Sequence, residues 1–269
     1  MRKKKLHLSA IYQAVLLVLM YLPIVVVVVY SFNVSKNTTV WGGVTMDWYR
    51  KMINNRGLLE ALRNSLVLAT LSSLLAGIIG TLGAVGMARV SFRSKGAVEY
   101  ISTLPIMIPE IILGMVLMAF FYLLDMPFGM LTLLLGHTVF CVPYILMEVK
   151  ARLAGMDPSL EEAARDLGAG SFRAFWDITL PLIMPAVMSG SLLAFAMSMD
   201  DVVISIFVNG PRISTLPVKV YTQLKTGVTP EINALCTLML AFTLAVLLVY
   251  TLITRLVKGK NRLFSTKQK

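Results

Sequence analysis

The sequence predicts an all-α membrane protein, a polytopic bundle of six transmembrane helices. Mean hydropathy over the 269 residues is +0.77. Only 14% of positions are charged, against roughly 25% in a soluble domain. Apolar stretches fall at about 11–31, 65–88, 100–124, 130–149, 180–203 and 235–256, each near the roughly 20 residues that a helix needs to cross a bilayer core. The alternating strand pattern of a membrane β-barrel is not seen.

The first span follows a basic start in "MRKKKLHLSAIYQAVLLVLMYLPIVVVVVYSFN". A signal peptide has an apolar region of roughly 7–15 residues and a small-x-small cleavage site. Here the run is about twenty residues without such a site, so it is expected to be retained as a span. The second span carries Ala76, Gly80, Ala84 and Ala88 at helical intervals, with Gly77, Gly83 and Gly86 beside them. Small residues on one face let membrane helices approach closely, which makes this a packing stripe.

The third span contains "TLPIMIPEIILGM", where Pro105 and Pro109 each lack a backbone donor and should bend or interrupt the helix. Such breaks persist in a bilayer only where protein or a watery cavity satisfies the freed carbonyls. In the fourth span His137 is expected to be a satisfied packing residue rather than a ligand. Cys141 and Cys236 have no CxxC spacing, so neither a disulfide framework nor a zinc site is supported. The fifth run stays apolar from Ile178 to Val208, too long for one straight crossing, and is interrupted by Asp200 and Asp201. A span followed by a folded-back outer segment is expected, with Gly210 and Pro211 as the turn.

The formal charge of +11 is explained by topology. With both termini cytoplasmic, 17 Lys and Arg lie inside and 8 outside, the asymmetry expected for an even number of spans. Excess basic charge then faces anionic lipid, and no nucleic-acid partner is needed. No soluble domain fits, so residues 1–269 read as a single transmembrane domain, with a core bundle at about 60–257 and a cytoplasmic loop at about 150–179. No internal repeat of the kind found in many secondary transporters is evident.

That loop contains "LEEAARDLGAGSFRAFWDITLP". A helix starts either with Asp157 as cap and Pro158 in the first position, or with Ser159 as cap and Glu162 closing a capping box. Leu160, Ala163, Ala164 and Leu167 form an apolar stripe, while Glu161, Glu162, Arg165 and Asp166 occupy the other side. Gly168 and Gly170 stop this helix, and a second short helix follows in which Phe172, Phe175 and Trp176 share a face before Pro181 opens the next span. An interfacial helix on lipid is one account. The mixed charge of the polar face favours a protein partner instead.

The spacing in this segment resembles the signature loop of ABC-importer permeases: Glu162-Ala163-Ala164, three residues, Gly168, nine residues, then Ile178-Thr179-Leu180-Pro181. The resemblance implies the type I ABC importer permease fold. It also implies a coupling helix docked on a separate ATPase, with Glu162, Ala163, Ala164, Gly168, Leu180 and Pro181 as coupling residues. No phosphate-cradling GxxxxGK[ST] occurs, so the chain is expected to bind no cofactor and to be no enzyme, with ATP and Mg held by partner ATPase subunits.

Charged side chains inside a bilayer cost about 2.5–3.5 kcal/mol on insertion scales and point to function. If the third span enters near Glu99, Glu110 lies roughly 16 Å along a straight helix, close to mid-membrane. Asp200 and Asp201 lie near the outer mouth, and no Lys or Arg stands at matching depth. Bare carboxylates along a crossing favour a cationic solute, and Tyr221 or Phe207 would add cation–π attraction. Adjacent helical residues point about 100° apart, so Asp200 and Asp201 cannot both face one path unless the helix ends there. One of them caps or braces the folded-back segment in the alternative account, with Arg212 as a candidate partner. Glu110 lines the path or hydrogen-bonds the broken third span.

More widely, "YSFN", "SLEEAARDLGA", "SMDDVVISIFVNGP" and "LPVKVY…GVTPEINAL" resemble the spermidine/putrescine branch of these permeases, in its second permease subunit. That resemblance implies a bacterial cytoplasmic (inner) membrane location. It also implies a sister permease subunit, two ATPase subunits and an external or periplasmic polyamine-binding protein as partners. A permease for another small cationic or neutral solute is the alternative within the class. A proton-coupled secondary carrier is the rival outside it, but leaves the Glu-Ala-Ala loop unexplained. An intramembrane protease is excluded because neither HExxH nor a Gly-x-Gly-Asp segment occurs.

Overall fold

The computed structural model describes residues 2–36, 40–157, 159–226, 229–245 and 248. In chain order the helices are α1 (Arg2–Tyr30), α2 (Asp47–Asn54), α3 (Arg56–Arg89), α4 (Lys95–Met107), α5 (Glu110–Leu123), α6 (Met130–Ala154), α7 (Ser159–Asp166), α8 (Ser171–Ala174), α9 (Leu180–Asp200), α10 (Val203–Val208), α11 (Leu216–Thr226) and α12 (Pro230–Ala245). A π-helical turn, Phe175–Thr179, joins α8 to α9. Among the described residues the only strand-like pairing is one isolated bridge, Asn33 to Val44.

Among the described residues four helices are long and apolar enough to cross a membrane, Leu8–Tyr30, Arg56–Arg89, Met130–Ala154 and Ser171–Asp200, with the bent pair α4 and α5 making a fifth candidate span. The apolar α12 begins where the sixth span is expected. Most of the remainder of that span, and the basic tail Arg255–Lys269, lie outside the described residues.

The contacts group into two units, Met1–Leu59 with Gln223–Lys269, and Glu60–Thr222. In the first, the apolar window of α1 buries nothing against its own chain, as expected of a helix that is hydrophobic all round and meets lipid or another subunit. The "YSFN" residues build the loop that follows. Ser31 Oγ shares a 2.7 Å hydrogen bond with Tyr49 Oη, and the Phe32 ring packs on Tyr49. The Asn33 amide spans the loop: its nitrogen donates to the Val40 carbonyl at 2.7 Å and its oxygen accepts from the Gly42 N–H at 2.8 Å. Trp48 closes the base by donating Nε1–H to the Asn33 carbonyl at 2.7 Å.

The second unit is organised around α6. Ala76, Gly80 and Ala84 of the small-residue stripe are buried, while Ala88 is exposed. A Cβ added at Gly80 would lie 3.1 Å from both Ile145 Cβ and the Leu146 backbone nitrogen, and one at Gly190 would lie 3.2 Å from Ile145 Cα. Close backbone approach therefore holds α3 and α9 to α6 around one residue, the packing that small residues permit without a hydrophobic drive.

Two breaks shape the site. The third span is not one helix: α4 and α5 meet at a 112° bend. Pro109 is the cause, because it cannot donate to the α4 ladder and its own extended backbone, φ −54° and ψ 134°, starts a new direction. Pro105 stays inside α4. The straight-helix depth for Glu110 is corrected accordingly, since Glu110 opens α5 just past the bend.

The fifth run also breaks as its length requires: α9 ends at Asp200 and α10 runs separately. Phe207 of α10 sits on Gly114 of α5, where an added Cβ would lie 2.6 Å from the ring. Thr132 Oγ1 donates to the Val208 carbonyl at 2.7 Å, tying the end of α10 to the start of α6. The turn beyond needs glycine, because a Cβ at Gly210 would stand 2.1 Å from the Phe128 carbonyl oxygen.

Helix Ser171–Asp200 begins well before Pro181. A proline within a helix lacks its N–H and its ring crowds the carbonyl of residue i−4. The π turn immediately before it widens the ladder, with the Leu180 N–H donating to the Phe175 carbonyl.

Candidate functional site

Glu110, Asp200 and Asp201 come together. They line one cavity of about 250 Å³ with Phe140, Met197, Val202 and Val203. Three local features bring them there: Glu110 stands in the first turn of α5, Asp200 is the last residue of α9, and Asp201 occupies the break between α9 and α10. Because the helix ends at Asp200, the 100° separation of helical neighbours no longer applies between the two aspartates.

Their environments differ. Glu110 and Asp200 are exposed, whereas Asp201 is buried. Asp201 caps α10: Oδ1 accepts from the Ile204 N–H at 3.2 Å, and Oδ2 accepts from the Ser205 N–H at 2.8 Å and the Ser205 hydroxyl at 2.9 Å. Four N–H groups at a helix start lack intrahelical partners, and a carboxylate supplies two of them with acceptors here. His137 Nε2 lies 3.3 Å from Asp201 Oδ2. The expected pairing with Arg212 is corrected on this geometry.

His137 is wholly buried, and both ring nitrogens are engaged: Nδ1 lies 2.7 Å from Ser198 Oγ and Nε2 lies 3.0 Å from Ser205 Oγ. Ser72 Oγ donates to Ser198 Oγ at 3.1 Å. Since Ser205 gives its hydroxyl proton to Asp201, it accepts from His137 Nε2–H. Ser198 correspondingly gives its proton to Nδ1. Donors then run one way, from Ser72 through Ser198, His137 and Ser205 to Asp201, across α3, α9, α6 and α10. A buried polar chain of this kind is costly unless every member is satisfied, and here each is.

The aromatic residue beside the acids is Phe140, packed edge-on against Tyr144 at 5.6 Å. Tyr221 lies on α11 and is not among the residues lining this cavity. Phe207 borders a separate apolar cavity with Met118, Tyr122 and Phe128. The expected cation–π role of Phe207 beside the acids is thus corrected.

The Glu-Ala-Ala segment forms a second cluster. Asp157 starts α7 by accepting the Ser159 N–H at 3.0 Å, a bond that holds its carboxyl below the ordinary carboxylate range. Gly168 ends it with φ +85°, a left-handed conformation in which glycine is favoured. The Gly168 N–H donates to the Arg165 carbonyl at 2.9 Å and the Ala169 N–H to that of Ala164 at 3.0 Å, which is a Schellman closure.

Of the expected apolar stripe, only Ala164 is buried; Leu160, Ala163 and Leu167 are exposed, Leu167 at 90%. Glu162 is exposed as well. Leu180 packs partly into the core and Pro181 is exposed. Phe172 and Trp176 stack on each other at 6.2 Å and stand exposed at 78% and 59%. Phe175 turns away from them into the π turn and packs on the core, which corrects the shared aromatic face. Glu161 is the acid that faces the chain's own body, pairing with Arg89 at 2.7 Å and Arg165 at 2.9 Å.

A family described as binding-protein-dependent transport system inner membrane component matches residues 73–263. The chain belongs to this family. Among relatives of this inner membrane component, the spermidine/putrescine transport system permease protein PotC of Escherichia coli (strain K12) is 42% identical over 236 residues, covering 88% of this chain and 89% of the relative. The putrescine transport system permease protein PotI of the same organism is 42% identical over 228 residues, covering 82% and 81%. A solved chain of a bacterial ABC transporter involved in the import of the acidic polysaccharide alginate shares the fold with a TM-score of 0.71, at 14% identity, over 95% of this chain and 98% of its own. A chain of the MetNI methionine ABC transporter does so with a TM-score of 0.54, at 19% identity, over 77% and 95%. The fold is that of ABC importer permeases, and the chain is a multi-pass membrane transport subunit rather than an enzyme.

Arg89, His137, Ser198, Ser205 and Phe140 were not assigned to either site from the sequence. Arg89 and His137 carry a legible signal, a lone charge at a span's end and a lone imidazole within one. Their partners lie 61 or more positions away along the chain, 72 for Arg89 to Glu161, and sequence spacing does not show them.

Proposed function

We propose that this chain is one permease subunit of an ATP-driven importer and forms half of the path for a polyamine, spermidine or putrescine, delivered by an external binding protein. The observation that carries this is the meeting of Glu110 and Asp200 in one open cavity, in a chain 42% identical to a spermidine/putrescine permease. Polyamines are flexible chains with ammonium groups. Two exposed carboxylates beside the Phe140 ring offer such groups charge and a cation–π face, with no ion-paired cation on either among the described residues. Asp201, turned into its own hydrogen bonds, holds the break and positions Asp200. Tyr221 is retained as a path residue on α11, outside the cavity.

The chain crosses the membrane six times with both termini cytoplasmic, and α12 begins the last span. The α7 helix docks on an ATPase subunit through Glu162, Ala163 and the exposed Leu160 and Leu167. Phe172 and Trp176 extend that apolar face beyond Gly168. So much exposed apolar surface around a mixed-charge helix suits a protein groove. Two ATPase subunits binding ATP and Mg, a related sister permease and a polyamine-binding protein complete the complex, in the bacterial inner membrane.

The test is reconstitution of the full complex in proteoliposomes with labelled spermidine. Uptake should require ATP, the binding protein and the ATPase subunits. Uptake by the permease pair alone would refute the proposal, and would favour a secondary carrier.

A further inference from the structure

Arg89 is the last residue of α3, and its guanidinium reaches across to the segment that follows α6. Nη2 donates to Glu161 Oε2 at 2.7 Å and to Thr179 Oγ1 at 2.5 Å, and the guanidinium carbon stands 5.5 Å from the centre of the Phe175 ring. Glu161 belongs to α7, while Phe175 and Thr179 belong to the π turn that opens into α9. One side chain thus ties the end of α3 to elements on both sides of the Gly168 bend.

The clamp has the properties of a stiff link. Each side chain of the ion pair is 24% exposed, so solvent screens the pair less than a fully exposed one. The planar guanidinium gives two acceptors and one ring fixed directions at once, which a lysine ammonium does not. Glu161 is held from its other oxygen by Arg165 at 2.9 Å, so it cannot swing away without breaking two charged bonds. Between the two arms of the clamp lies the left-handed Gly168, and the π turn forms part of the second arm, a helical irregularity found often at functional sites.

We propose that Arg89 is a positioning residue that carries the movement of α7 into α3, so that closure of the ATPase is delivered to the second span as well as to α6 and α9. This rests on the proposed docking of α7 on the ATPase and adds a third recipient of the force.

The test is the amount of spermidine moved per ATP hydrolysed by the full complex in proteoliposomes, measured for Arg89→Gln, Glu161→Gln and the double variant, with Gly168→Pro beside them. Each single variant should lower that ratio about tenfold, the lower end of the scale for losing a charge-assisted hydrogen bond, while the ATPase subunits still co-purify. The double variant should fall no further than either single one, as two halves of one link do. A role in folding alone would reduce yield or melting temperature and leave the ratio unmoved, which would overturn the proposal. If Gly168→Pro uncouples the complex while Arg89→Gln does not, the docking stands and the Arg89 link falls. If neither changes the ratio, the docking of α7 fails and the link with it. Should Arg89→Gln not assemble, Arg89→Lys serves in its place: a fall of about twofold or more supports the link, and an unchanged ratio removes it.

Discussion

Nε2 of His137 lies 3.3 Å from Oδ2 of Asp201, and both side chains are almost wholly buried. The pair joins α6 to the break between α9 and α10, and it explains why two adjacent aspartates stand in different environments. Asp201 is spent on structure, and Asp200 is left facing the cavity.

His137→Leu keeps the volume and removes both ring nitrogens, leaving Ser198 and Ser205 short of partners and Asp201 without the Nε2–H beside it. The assembled complex should lose about 2 kcal/mol of stability, the usual scale for stranding a buried polar group. His137→Gln should lose less, because an amide restores part of the hydrogen bonding. Thermal unfolding of the purified complex decides it, and an unchanged melting temperature in the leucine variant would show that the network does not hold the break.

Asp200→Asn and Glu110→Gln should behave in the opposite way. Both groups are exposed to the cavity, so melting should hardly move, while half-saturation for spermidine should rise about tenfold per charge removed. Asp201→Asn should instead lower the melting temperature, since it weakens the cap of α10. If half-saturation stays put in both cavity variants, the acids do not meet the solute.

Gly210→Ala places a methyl group 2.1 Å from the Phe128 carbonyl oxygen. The turn after α10 must then move, at a cost of about 2–4 kcal/mol or failure to assemble. Gly96→Ala in α4, where an added Cβ meets nothing within 4 Å, is the control and should be neutral or stabilise by about 0.5–1 kcal/mol. Comparable melting of the two variants would contradict the close approach.

Gly168→Pro and Glu162→Arg should separate ATP hydrolysis from uptake while the protein remains in the membrane. Proline cannot hold the φ of +85° seen at Gly168, and arginine reverses the charge of an exposed residue on the proposed docking face. Parallel assays of phosphate release and spermidine uptake distinguish uncoupling from loss of assembly. Normal uptake in both variants would sink the docking role of α7.

The small-residue stripe, the interruption at Pro109 and the turn at Gly210 were all legible in the sequence, because each depends on what a single residue lacks: a side chain, a donor or a Cβ. The Glu-Ala-Ala segment was legible by its spacing. The pairing of Asp201 was not, since Arg212 is near it along the chain and His137 is near it only after α6 packs beside α9. The facing of Phe175 was missed for a related reason: the π turn before Pro181 changes the helical period that would otherwise align it with Phe172 and Trp176.

By itself the sequence determined that this is an apolar helical protein with an interrupted third span, a divided fifth run and a separate Glu-Ala-Ala helix. Hydropathy, proline chemistry and glycine geometry are local properties of the chain. Only the tertiary structure decided which acid is sheltered and which stays open, and that Arg89, 72 positions away, grips Glu161 together with its sequence neighbour Arg165. Burial and hydrogen bonding are set by side chains from distant helices, and they exist only once those helices have packed.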